Sequence, residues 1–131
     1  MNAVLRLFDE TPGQPRRNAG TLRLASERVT AREIIRRRVE QEVSAYNQRQ
    51  GDVFEGLVQP AGSEAAVSGF RMRTPKLLIA VEQVDIALSA FERNRIILLF
   101  DDRQVESLDE VVTLVPGSTV TFLRLFPLVG G

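Results

Sequence analysis

Short runs in which apolar and polar residues alternate open the chain. Val4-Leu5-Arg6-Leu7-Phe8-Asp9 is the first β-prone stretch, and Thr21-Leu22-Arg23-Leu24, just after Gly20, is the second. Between them Thr11-Pro12-Gly13-Gln14-Pro15 has turn chemistry, so an opening hairpin is expected. The period then lengthens. Ala31, Ile35, Val39, Val43 and Tyr46 recur at steps of three and four, while Arg32, Arg36, Glu40, Gln41 and Gln48 fall at other phases, which predicts an amphipathic helix over about 31–49. Thr30-Ala31-Arg32-Glu33 is a capping box for its start, and Gly51 lies just past its end.

From Gly51 to Pro75 glycine and proline interrupt the chain repeatedly, and the pattern supports only short strands near 54–58 and 70–73. Thr74-Pro75 then reads as a helix start, and Leu77, Val81, Val84, Leu88 and Phe91 continue at helical spacing toward Asn94. A second helix over about 76–93 is expected, although Leu77-Leu78-Ile79-Ala80-Val81 alone also fits a buried strand. Ile96 to Phe100 is a buried-strand run, Asp101-Asp102 a turn and Gln104-Val105 a very short strand. Ser107-Leu108-Asp109-Glu110 reads as the start of a single helical turn. After Pro116-Gly117, Ser118 to Phe126 alternates as a strand, and Pro127 ends it.

Composition narrows the chemistry. With 131 residues and 44% hydrophobic content, one ordinary domain is the expectation. Cysteine and histidine are absent, which removes thiolate catalysis, disulfides, Cys-type zinc sites and the usual imidazole base, so the chain is expected not to be an enzyme and to hold no cofactor or metal. The net charge is zero, giving no electrostatic reason for a nucleic-acid or membrane partner. Met1-Asn2-Ala3 leads directly into a strand-like run and no apolar stretch approaches spanning length, so a cytoplasmic protein is expected. Arg36-Arg37-Arg38 is read as a solvated helix face, and the acidic group Asp101, Asp102, Glu106, Asp109 and Glu110 as turn and cap residues, not a cation site. Most phenylalanines are core candidates. Of the 17 basic residues all are arginine except Lys76.

The order strand, strand, helix, strand, tiny strand, short turn and last strand, ending in Gly130-Gly131, resembles the β-grasp fold of ubiquitin. Arg95 to Phe100, Gln104 to Asp109 and Ser118 to Leu125 look like its third strand, its short strand with the following turn, and its last strand. The tail Phe126-Pro127-Leu128-Val129-Gly130-Gly131 is also similar to the ends of bacterial sulfur carriers. Further stretches, Phe54 to Pro60, Ala90 to Asn94, Arg103 to Leu108 and Thr121 to Leu125, resemble bacterial ubiquitin-like proteins that accompany activating-enzyme, conjugating-enzyme and protease homologues, with antiviral defence a plausible setting. The resemblance implies an α+β fold, a β-grasp mixed sheet packed on a helix, spanning 1–125, with an insertion at about 51–94 that contains the second helix and an extended tail over 126–131.

By the same resemblance Gly131 is the conjugation residue, and Gly130, Val129, Leu128, Pro127 and Phe126 form the segment a partner recognises. A carboxylate is a poor acyl donor until adenylation gives it a leaving group. The partner supplies that step, while two glycines without Cβ allow close backbone approach in a narrow channel and Pro127 favours an extended chain before it. The implied partners are an adenylating enzyme, a conjugating enzyme, a deconjugating protease and a target protein. Two other readings stay open: a sulfur carrier with a thiocarboxylate on Gly131, and a β-grasp interaction module without tail chemistry.

Overall fold

A computed structural model of the chain describes residues 3–49, 53–66, 69–72 and 77–125. It is a mixed α+β protein with two helices, α1 (Ala31–Arg49) and α2 (Ala80–Glu92), and a five-stranded mixed sheet. The described residues form two compact units: one comprises those up to Ile34 together with those from Ala90 to Leu125, the other those from Ile35 to Ser89.

The first unit is built on the sheet β2-β1-β10-β7-β8, formed by β1 (Ala3–Glu10), β2 (Arg17–Leu24), β7 (Ile96–Phe100), β8 (Arg103–Val105) and β10 (Thr119–Arg124). β1 and β10 run parallel in the middle and every other pair is antiparallel. Period-two alternation makes one face apolar: Leu7 lies opposite Val120, Val120 opposite Phe100, Phe122 opposite Leu98 and Leu98 opposite Val105, and all are buried. Each such side chain contributes about 1.5–3 kcal/mol on removal from water. Thr11 to Gln14 closes the first loop with a Gln14 N–H to Thr11 carbonyl bond of 3.0 Å. Asp101 and Asp102 have φ of 46° and 70°, a two-residue turn whose twist matches the strands it joins.

A second small sheet pairs β3 (Arg28–Thr30) with β9 (Val111–Thr113). The expected helical turn at 107–110 is instead a turn closed by the Glu110 N–H on the Ser107 carbonyl at 3.2 Å, because β9 begins at once and takes β3 as its partner. This loop caps α1. Its first three N–H groups, orphans of any helix start, are satisfied: Ala31 donates to the Glu110 carbonyl at 3.1 Å, Arg32 to the Leu108 carbonyl at 2.9 Å and Glu33 to Thr30 Oγ1 at 3.1 Å.

In the second unit β6 (Gly69–Met72) lies between β4 (Val53–Phe54) and β5 (Ser63–Ala66). The strand expected over 54–58 shrinks to Val53–Phe54, and Ser63-Glu64-Ala65-Ala66, with no β preference of its own, becomes a strand by pairing. A Cβ on Gly69 would overlap the Phe54 carbonyl oxygen, so only glycine lets the two strands approach. Tyr46 meets Phe54 edge-on, with ring centroids 5.6 Å apart.

Helix α1 has the expected bounds and buried stripe. The solvated-face reading of its arginines holds for Arg37 and fails for Arg38, which is 2% exposed. Arg38 Nε donates to Glu42 Oε2 at 3.2 Å, and Glu42 Oε1 accepts the Leu57 N–H at 3.0 Å, so the buried charge is both paired and tied to the loop after β4. Helix α2 starts at Ala80, later than expected, and Thr74-Pro75 lies outside the described residues. Its lead-in is extended: the Asn47 side-chain amide donates to the Leu78 carbonyl and accepts the Leu78 N–H, both at 2.9 Å, as a neighbouring strand would. Leu78 therefore turns inward, while Leu77 and Val81, expected in the core, are 58% and 70% exposed.

Two predictions follow from the α1 cap. Thr30→Ala should lower stability by about 1 kcal/mol, read from chemical denaturation, because one N–H loses its acceptor. Glu110 is held below the usual carboxylate range, first by the Arg103 hydrogen bond, 2.6 Å to Oε2, then by the Glu106 N–H and the Arg103 charge, against partial desolvation. A depressed carboxylate stabilises above its unfolded pKa and that contribution disappears as pH falls through the folded value. Denaturation midpoints from about pH 7 to about pH 3 should therefore fall less steeply in Glu110→Gln than in the parent.

Candidate functional site at the root of the tail

Every residue assigned to conjugation or tail recognition, Phe126, Pro127, Leu128, Val129, Gly130 and Gly131, lies outside the described residues. What the structure does describe is their root. β10 is central, flanked by β1 and β7, so the chain reaching Phe126 comes from a strand held on both sides. Beyond β10, the Leu125 N–H donates to the Arg95 carbonyl at 3.0 Å. Arg95 is anchored in turn: its N–H donates to the Ala90 carbonyl at 2.9 Å, beside an Asn94 N–H to Phe91 carbonyl bond of 3.0 Å. Asn94 takes φ 58°, the left-handed conformation that ends helices, and it does so where the spacing predicted a stop.

One charged pair lies in the same part of the sheet. Arg124 Nη2 is 4.0 Å from Asp9 Oδ2, with side chains 18% and 8% exposed. Asp9 continues the inward phase of Leu5 and Leu7, so the strand carries a carboxylate where the pattern calls for a third apolar residue. That irregularity was readable in the sequence.

The opposite face of the sheet is half-buried and mainly apolar. Phe8 and Leu99 both register on Thr121, and Ile97 on Leu123. Phe8 carries two guanidinium groups, Arg16 at 3.8 Å and Arg6 at 5.4 Å from its ring centroid, so this strip has a basic margin on the β1–β2 side. On the other side a hollow of about 180 Å3 is lined by Phe91, Asn94, Ile96, Ile97, Gln104, Val105 and Glu106. Sequence reasoning placed Phe8 among core candidates; parity alone could have assigned it to the face opposite Leu5 and Leu7.

Three of the acidic residues near the β7–β8 hairpin are engaged in turn and cap contacts. Asp101 Oδ1 accepts the Thr119 N–H at 2.9 Å, Asp109 pairs with Arg32 at 3.4 Å and Glu110 with Arg103. Among the described residues no group of three or more potential ligands could hold a metal ion, and no helix is long and apolar enough to cross a membrane. Comparison with protein-family models, with curated proteins and with solved structures gives no match.

The two ion pairs differ in solvent access, and their removal should show it. Asp109→Ala, which opens the exposed pair with Arg32, should cost about 0–1 kcal/mol. Asp9→Ala removes the largely buried carboxylate beside Arg124 and should cost more, about 1–3 kcal/mol by denaturant titration.

Proposed function

We propose that this chain is a ubiquitin-like protein modifier of β-grasp type, working through the carboxylate of Gly131. The observation that carries the reading is the sheet order β2-β1-β10-β7-β8 with β1 and β10 parallel, which makes the strand leading to the Gly-Gly segment the middle strand of the five. A recognition tail needs such a root. A partner that pulls six residues, Phe126 to Gly131, into a narrow channel works against a fixed point only if Leu125 does not move with the tail.

In this reading the domain spans 1–125 and the stretch of about 51–94 is an insertion into it, all in a cytoplasmic setting. The activating partner lets the Gly131 carboxylate attack the α-phosphate of ATP, expelling pyrophosphate. A partner thiolate then displaces AMP, and the thioester passes to a conjugating enzyme and on to a target amine. A protease reverses the final bond. The Gly131 carboxylate has this role whether it is encoded as the end or exposed by cleavage. The half-buried strip of Phe8, Ile97, Leu99 and Leu123 lies on the strand leading to the tail and on its neighbours, and supports docking of the activating partner there.

Deleting Gly130-Gly131 should leave thermal unfolding almost unchanged, since a terminal pair contributes little buried apolar surface, and should abolish ATP-dependent thioester formation on the activating partner. Full transfer by the truncated protein would sink the tail mechanism. Intact mass after incubation with activator, ATP and a sulfur donor separates the modifier from a sulfur carrier, in which one oxygen of Gly131 is replaced by sulfur.

A further inference from the structure

We infer that the surface of this chain is built to restrict its use as acceptor for its own activated tail, Lys76 being the one side-chain amine it offers; the inference rests on the reading of Gly131 given above. Lys76 is the one side-chain amine in the sequence, against sixteen arginines among 17 basic residues. Composition alone would be a weak argument, because arginine has structural uses that lysine lacks. The structure separates those uses from the rest.

Several arginines have a use of their own. Arg38 is buried on Glu42, Arg103 holds Glu110 and Arg16 stacks on Phe8. Arg17, Arg28, Arg71, Arg93 and Arg95 are different. All five are exposed, and among the described residues their side chains make no hydrogen bond, ion pair or ring contact. At such positions a solvated ammonium keeps the protein soluble as well as a guanidinium does, so packing and pairing give no reason for arginine.

Acyl chemistry does give one. A guanidinium stays protonated at any working pH, so it presents no free lone pair to a carbonyl carbon, whereas a small fraction of lysine side chains is always the free amine. The amine nitrogen attacks the thioester carbonyl, a C–N bond forms, the C–S bond breaks, and the amine proton leaves with the thiolate. A chain that travels as a thioester, at a high effective concentration to itself and to neighbouring copies, is protected by having arginine wherever only charge is needed. Cysteine is absent and Tyr46 is buried, which leaves alcohols with no imidazole to activate them.

The test uses the full chain converted chemically to a Gly131 thioester of a small thiol, with the α-amine acetylated, so that no partner enzyme is required. The parent and Lys76→Arg thioesters should both transfer to added free lysine; the Lys76→Arg thioester should form no ladder of self-linked products on denaturing gels and by intact mass, and any self-linked product of the parent should be joined through Lys76 alone. The variant Arg17→Lys, Arg28→Lys, Arg71→Lys, Arg93→Lys, Arg95→Lys should unfold at a similar temperature and form a ladder. A ladder from Lys76→Arg, linked through hydroxyls, would overturn the inference, as would a five-lysine variant that self-links no more than the parent. Failure of an activating partner to charge Gly131 would count against the modifier reading alone.

Discussion

Parallel pairing of β1 with β10 is the constraint on which the first unit depends. These strands come from opposite ends of the described chain, and joining them side by side makes the sheet one continuous surface from β2 to β8. Remove that pairing and the sheet splits into the three-stranded β10-β7-β8 and the lone hairpin β2-β1, which by itself is marginally stable at best in water. The entropic cost of closing so long a loop grows only logarithmically with its length, so the apolar contacts made across Leu7, Val120, Phe100, Phe122 and Leu98 readily offset it. The penalty is kinetic, since the pairing forms only after its distant partners meet.

The same arrangement explains why the tail root is firm. β10 exchanges hydrogen bonds with neighbours on both sides, Leu125 is bonded to Arg95, and Arg95 to the last turn of α2 at Ala90. Order thus extends to the last described residue. For the proposed function, an anchor that is already ordered leaves less freedom to be lost when a partner binds the tail.

The capping of α1 shows a parallel economy of design. The loop of Ser107 to Glu110 serves three ends: it supplies two carbonyls to the helix start, carries Glu110 to Arg103, and delivers the chain into β9 beside β3. Its acidic character, which invites a cation reading, is accounted for by these hydrogen bonds and by turn geometry.

Local periodicity determined α1 and its buried stripe, the opening hairpin, the β7 and β10 runs and the Asp101-Asp102 turn, because each is specified by residues within a few positions of one another. The proposed chemistry of the tail rests on Phe126 to Gly131 and has no counterpart among the described residues. Only the tertiary structure decided what depends on a distant partner. Ser63–Ala66 became a strand because β6 lay beside it, and Val111–Thr113 because β3 did. Arg38 is buried because Glu42 neutralises it, the other carboxylate oxygen of Glu42 accepting the Leu57 N–H; Val81 is exposed because Asn47 pins Leu78 and delays the helix to Ala80. A hydrophobic period tells which residues share a face of an element. Which face is covered, and which charge finds a partner there, is set by chain segments the period does not contain.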